Sequence, residues 1–187
     1  AGNAGMRAYV GEAARCLDGF DLETLEDVFV CIRDSFASGG KLLICGNGGS
    51  ASDASHLAGE LVGRFRRERR PLPALALTVD PAVLTALSND YGYDRAFVRQ
   101  VQALGKPGDV LLAVTTGGTS PNVVAAGEEA RRMGIRVAAF TAAGREAPWA
   151  DIHWMAPSPV TSHAQEAMLV AFHALCEALE GALLEEE

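Results

Sequence analysis

Lys41-Leu42-Leu43-Ile44-Cys45-Gly46-Asn47-Gly48-Gly49-Ser50-Ala51 decides the fold class. A short, nearly continuous apolar run meets three glycines within four positions, and Ser50 then opens a helical pattern. A strand covered on both faces reads this way, because helices on each side of a parallel sheet leave it no polar face. The glycines let the backbone approach a ligand and take positive φ angles. The free N–H groups of the helix that follows favour an anion. The spacing is neither GxGxxG nor a P-loop, since no Gly-Lys-Ser/Thr follows. A tight strand-to-helix turn with a serine cap accounts for the same residues equally well.

Four further strand candidates lie at 74–78, 109–115, 135–141 and 152–156. Helical periodicity fills the gaps. Two helices, 6–17 and 22–38, precede the first strand, and Gly39-Gly40 ends the second of them. Later helices are expected at 50–63, 81–87, 94–104, 121–133 and 162–183, the last with a core stripe of Met168, Phe172, Leu175, Leu179 and Leu183. The alternation predicts an α/β fold: a doubly wound, flavodoxin-like, five-stranded parallel sheet flanked by helices, with N-terminal helices added. Pro71-Leu72-Pro73 reads as a loop, so residues 6–187 read as one domain. Residues 1–5 read as a remnant ahead of a native Met6.

Composition narrows the function classes. The 187 residues are 49% hydrophobic and 21% charged, ordinary globular values. Lys+Arg is 16 against Asp+Glu 24, a formal net charge of −8, which argues against a nucleic-acid surface. The basic cluster Arg64-Phe65-Arg66-Arg67-Glu68-Arg69-Arg70 reads as a solvated loop or as an attractor of a small anion. Cys16, Cys31, Cys45 and Cys176 show no CxxC spacing and read as reduced thiols of a cytoplasmic protein. No apolar run reaches the roughly 18 residues of a membrane span, so no membrane partner is expected.

Ligands of open parallel sheets bind beyond the carboxyl ends of the strands. The third strand ends in Thr115-Thr116-Gly117-Gly118-Thr119-Ser120-Pro121-Asn122, whose four hydroxyls precede a helix with Pro near its first turn. Hydroxyls and helix N-terminal amides can hold a phosphate without lysine. Two such loops on one sheet favour a pocket for a small phosphorylated molecule. In the helix after the first loop, His56 and Glu60 are spaced i, i+4 and share a face, with Asp53 one turn earlier. His173 sits among apolar residues and by itself reads as a structural histidine. Gln165 lies eight residues before it, about 12 Å along a straight helix. Asn89-Asp90 reads as a turn after a short helix, or as a sugar-hydroxyl contact.

These motifs together resemble the sugar isomerase (SIS) family, and within it the phosphoheptose isomerases. The resemblance rests on Cys45 to Ala51, His56 to Phe65, Leu72 to Asp80, Leu87 to Asp94, Gly108 to Val123 and Gln165 to Glu180, in that order. It implies interconversion of sedoheptulose 7-phosphate and a D-glycero-D-manno-heptose 7-phosphate, with Glu60 and His173 as the catalytic acid/base pair. It also implies substrate contacts at Asn47, Gly48, Gly49, Ser50, Glu60, Asn89, Asp90, Thr115, Thr116, Gly117, Ser120 and Gln165. Zinc would be held by His56, Glu60, Gln165 and His173, and the molecule would be a homotetramer. The sequence departs from the family at Gly117, where serine is usual, and at Met168, where a second histidine is common. Residues 141–150 and 161–164 depart as well.

The residue types suit the implied reaction. Moving a carbonyl between C1 and C2 through an enediol needs a base that takes a carbon-bound proton and returns it to the neighbouring carbon, a role open to Glu60. His173 can open the sugar ring or shuttle the oxygen-bound proton. Two alternatives remain open. One is an isomerase for another ketose phosphate, an eight-carbon or specialised-metabolite sugar. The other is a non-catalytic SIS protein that binds the bacterial replication initiator, as some relatives do.

Overall fold

A computed structural model describes the backbone of residues 2–186 and the side-chain surroundings of residues 2–182. Ala1 and the side chain of Leu183, the last member of the expected core stripe, lie outside the described residues. Strands β1 (Leu42–Gly46), β2 (Ala74–Ala76), β3 (Val110–Val114), β4 (Arg136–Ala142) and β5 (Ile152–Ala156) form one parallel sheet in the order β2-β1-β3-β4-β5. Helices α1 (Gly2–Cys16) and α2 (Leu22–Ala37) precede it. They are followed by α3 (Gly49–Val62), α4 (Pro81–Tyr91), α5 (Ala96–Leu104), α6 (Pro121–Arg132) and α7 (Thr161–Glu186).

Alternation along the strands builds two cores. Leu42, Ile44, Val110, Leu112, Ala138 and Phe140 face α2, α3 and α7. Leu43, Cys45, Leu111, Ala113, Val137 and Ala139 face α5 and α6. Every residue of β1 and β3 is buried, which is why both read as unbroken apolar runs. Burying each leucine or isoleucine stabilises the fold by about 1.5–3 kcal/mol. The winding direction reverses between β1 and β3, so the crevice of a doubly wound sheet opens where the two glycine-bearing loops leave it.

Two helices differ from the expectation. Helix α1 starts at Gly2, ahead of Met6, and buries none of its residues. It docks on α7 through polar contacts: the Tyr9 hydroxyl donates to Glu166 Oε1 at 2.6 Å, and the Tyr9 ring lies 4.6 Å from that of His163. Helix α4 runs on to Tyr91 and encloses Asn89 and Asp90 in its last turn, so these two are helical and not a turn. The two residues that suggested the turn bond to each other, while the neighbouring Ser88 Oγ bonds down the helix, donating to the Leu84 carbonyl at 2.6 Å. Gly92, at φ 84°, supplies the stop. No described helix is long and apolar enough to cross a membrane.

Candidate active site

The two loops meet above the paired ends of β1 and β3, where Gly46 is in register with Val114. Gly48, at φ 58°, caps α3 without a side-chain bond, and Ser50 lies buried within the first turn. Both polar atoms of the Asn47 side chain are engaged. Its Nδ2 donates to Asn122 Oδ1 at 2.8 Å, Asn122 Nδ2 donates back at 2.9 Å, and the Tyr93 hydroxyl donates to Asn47 Oδ1 at 2.7 Å. This clamp joins the glycine turn to the first turn of α6. Neither Asn122 nor Tyr93 was signalled by the sequence, because the bond needs residues brought together by the crossover between β1 and β3.

The second loop is shaped by its own backbone. Thr115 is buried, and its Oγ1 lies 3.0 Å from Ser120 Oγ. Gly118, at φ 74°, donates its N–H to the Thr115 carbonyl at 3.1 Å. A Cβ there would stand 2.6 Å from the Glu146 carbonyl oxygen, so only glycine fits. Trp149 Nε1 donates to the Gly118 carbonyl at 3.3 Å, with the indole seated against Gly127 of α6. Ser120 caps α6 by position, yet its hydroxyl turns towards Thr115 and not to the helix amides. The first-turn N–H groups of α6 therefore lack a side-chain cap and, at the positive end of the helix dipole, favour an anion. Thr116 is half-buried and Gly117 stands exposed at the tip.

Side chains of α3 and α7 supply the third part. The two helices run alongside each other in the same direction, Gly49 beside Gln165 and His56 beside His173. A methyl group on Gly49 would run into the Gln165 amide. His56 Nε2 lies 3.2 Å from Glu60 Oε1 and 3.4 Å from His173 Nε2. Donor atoms of His56, Glu60 and His173 all lie within 4.8 Å of one another, so these three can hold a metal ion. Gln165 faces the glycine turn, about 10 Å along α3 from His56, so one chain brings together three of the four residues expected as ligands. Asp53, one turn before His56, keeps a buried Oδ2 with no hydrogen-bond partner among the described residues. Burial raises its carboxyl above the usual range, and a charged His56 opposes that rise.

Two groups of candidates stand apart from this cluster. Asn89 and Asp90 are exposed and bond to each other, Asn89 Nδ2 to Asp90 Oδ1 at 2.9 Å. The basic cluster is largely consumed by α7: Arg66 and Arg67 each pair with Glu177 at 3.2 Å, and Arg69 is buried against Glu180. The cluster is an exposed loop, as expected, strapped to α7 at these three residues, and Arg69 alone of its arginines is buried.

Comparison with known proteins fixes the family. Residues 8–142 match the SIS domain. The chain is 48% identical over 171 residues to a phosphoheptose isomerase of Roseiflexus sp. strain RS-1, covering 88% of this chain and 87% of that protein. It is 47% identical over 184 residues to one from Solidesulfovibrio magneticus, covering 96% and 90% respectively. The solved phosphoheptose isomerase of Neisseria gonorrhoeae superposes with a TM-score of 0.89 at 34% identity, over 97% of this chain and all of that one. That of Francisella tularensis superposes with a TM-score of 0.90 at 32% identity, over 96% and 98%. The loops, the sheet order and these likenesses agree, and the chain belongs to the phosphoheptose isomerase family of SIS-domain proteins.

Proposed function

We propose that this chain is a cytoplasmic, homotetrameric aldose–ketose isomerase that converts sedoheptulose 7-phosphate to D-glycero-D-manno-heptose 7-phosphate. The observation that carries the reading is the meeting of Glu60 with His56 and His173 beside two anion-favouring loops. The relatives named phosphoheptose isomerase support the substrate. An apolar groove between α2 and α7, lined by Leu22, Leu25, Phe29, Leu175 and Ala178, supports association of copies.

The phosphate sits on Thr115, Thr116, Ser120 and the first turn of α6, with the tip at Gly117. Asn47, Gly48, Gly49, Ser50 and Gln165 border the sugar at the α3 end, while Asn89 and Asp90, expected as sugar contacts, stand apart from this cluster. Glu60 takes a proton from C1 and delivers it to C2, so the carbonyl moves from C2 to C1 through an enediol. His173 moves the accompanying proton between the two oxygens. Asp53 lies one turn away, its carboxyl raised by burial against the opposing effect of His56.

Zinc fits the cluster. Two imidazoles and a carboxylate, with donor atoms all within 4.8 Å of one another, are a donor set that suits zinc. His56, Glu60 and His173 would hold it, and Glu60 so bound would be less free to act as the base; Gln165, expected as the fourth ligand, stands about 10 Å away along α3. Zinc bound there supplies Lewis-acid polarisation of the sugar oxygens. Incubation of the purified protein with sedoheptulose 7-phosphate, with and without added zinc, tests the reading. The aldose 7-phosphate is the expected product; no conversion under either condition refutes it.

A further inference from the structure

The strap at 64–70 is the one motif of the sequence that the proposed reaction leaves unused. Its centre is a fully buried ion pair, Arg69 Nε to Glu180 Oε1 at 3.2 Å, each side chain 1% exposed. The two residues reach in opposite directions. Arg69 donates to the carbonyls of Glu60 at 2.8 Å, Leu61 at 2.9 Å and Gly63 at 3.1 Å, the acceptors that the end of α3 leaves unmatched. A cation at a helix carboxyl end is also favoured by the helix dipole. Glu180 accepts the N–H groups of Phe65 at 2.8 Å and of Arg66 and Arg67 at 3.0 Å each.

One end of this fastening touches a site residue, and the other lies on the helix that carries His173. Arg69 grips the backbone carbonyl of Glu60 itself. Glu180 lies seven residues after His173, two turns along the same face of α7. Between them Phe65 lies stacked on the His173 imidazole, ring centroids 5.4 Å apart and planes 23° apart. His56 meets the same imidazole edge-on at 5.1 Å. The Arg66 guanidinium covers Phe65 at 5.2 Å and pairs with Glu177, one turn beyond His173. The imidazole is thus enclosed by His56 and by a phenyl ring whose backbone is tied to the imidazole's own helix.

We propose that Phe65, fastened to α7 through Glu180 and Arg69, is a positioning residue that holds the His173 ring against His56 and Glu60. The role rests on the proposed isomerase reading, but its geometry is independent of substrate. An end-of-helix loop needs no buried ion pair to stay folded, and apolar residues of similar volume serve at least as well in many proteins. What this pair adds is one fixed path for the strap across the imidazole.

The test is Phe65→Leu in the full-length protein, read by histidine-ring NMR and by steady-state kinetics on sedoheptulose 7-phosphate. The chain has four histidines, and only His56 and His173 lie at the site. The variant is expected to shift and broaden the ring signals of His173 and His56 while those of His153 and His163 stay in place. It is expected to lower kcat by about tenfold with KM nearly unchanged, the signature of a displaced group and not of lost binding. Phe65→Tyr restores both readouts. Arg69→Lys, which keeps the charge and loses the fork, shifts the same two histidines and no others. His173 signals that do not move in Phe65→Leu overturn the proposal. So does a shift spread over all four histidines, which marks a purely structural part. If the wild-type protein shows no turnover, the NMR arm still decides the positioning role, so the two readings fail separately.

Discussion

The loop from Thr115 to Ser120 and the seam between α3 and α7 serve one crevice but are made in different ways. The loop is local: six consecutive residues, one hydroxyl pair at 3.0 Å and a glycine that tolerates no side chain. The seam is remote: His56 and His173 are 117 positions apart, and they meet because two helices pack in parallel against the same face of the sheet. Under the proposed function, phosphate recognition at the loop would depend on backbone shape, and proton transfer at the seam on packing that the whole molecule must maintain. The loop should therefore tolerate single changes with graded losses, whereas the seam should fail abruptly.

Glu60→Gln tests that contrast most severely. It keeps size and removes the base, and turnover should fall by about 10²–10⁴, with sugar-phosphate binding by calorimetry retained. Glu180→Ala comes next. It leaves Arg69 buried without its partner and should lower unfolding stability by about 3–5 kcal/mol, measured by urea denaturation. The wild-type protein should show the same dependence on pH. Burial alone would push the Glu180 carboxyl up, but the Arg66, Phe65 and Arg67 N–H groups and the Arg69 guanidinium outweigh it and hold the carboxyl below its usual value. A depressed carboxyl stabilises fully above the unfolded value of about 4.3, and that stability is lost as pH falls through the folded value. In Glu180→Ala the acid-side loss should be smaller.

The loop variants should be milder. Ser120→Ala removes one hydroxyl and should raise KM by about tenfold, as expected for a hydrogen bond to a charged group, with kcat unchanged. Gly117→Ser should act in the other direction. Gly117 does not adopt positive φ among the described residues, and a Cβ there meets only Thr119 Oγ1, at 3.9 Å. The added hydroxyl should lower KM roughly twofold and leave the melting temperature unchanged. A large stability loss from either loop variant, or a graded one from Glu180→Ala, would erase the distinction between the two regions.

The same distinction explains what was legible in the chain. Strands β1, β3 and β4 begin within a residue of expectation because both of their faces are buried, so apolar runs mark them directly. Edge strand β2 spans only Ala74–Ala76, shorter than its apolar run. The glycine turn and the hydroxyl loop were readable because a backbone that must bend announces itself in Gly, Thr and Ser. His173 was not readable: its apolar neighbours on α7 point into the core, and nothing local shows that its own ring faces α3. The arginine cluster was half legible for a related reason. Its charge run is mostly exposed, as such runs suggest, and only the distant Glu180 makes Arg69 a buried fastening. Asn47 is intermediate, since its place beside the crevice was evident but its occupation by Asn122 and Tyr93 was not.

Trp149 gives the molecule an optical gauge of its own. Its indole N–H rests on the Gly118 carbonyl, so a ligand that settles on the hydroxyl loop perturbs the fluorophore directly. The other tryptophan, Trp154, is sealed in the core with its N–H on the Asp21 carbonyl and contributes a constant background. Emission should change on titration with sugar phosphate, and in Trp149→Phe it should stay flat, so occupancy can be followed in the unlabelled protein before any turnover is measured.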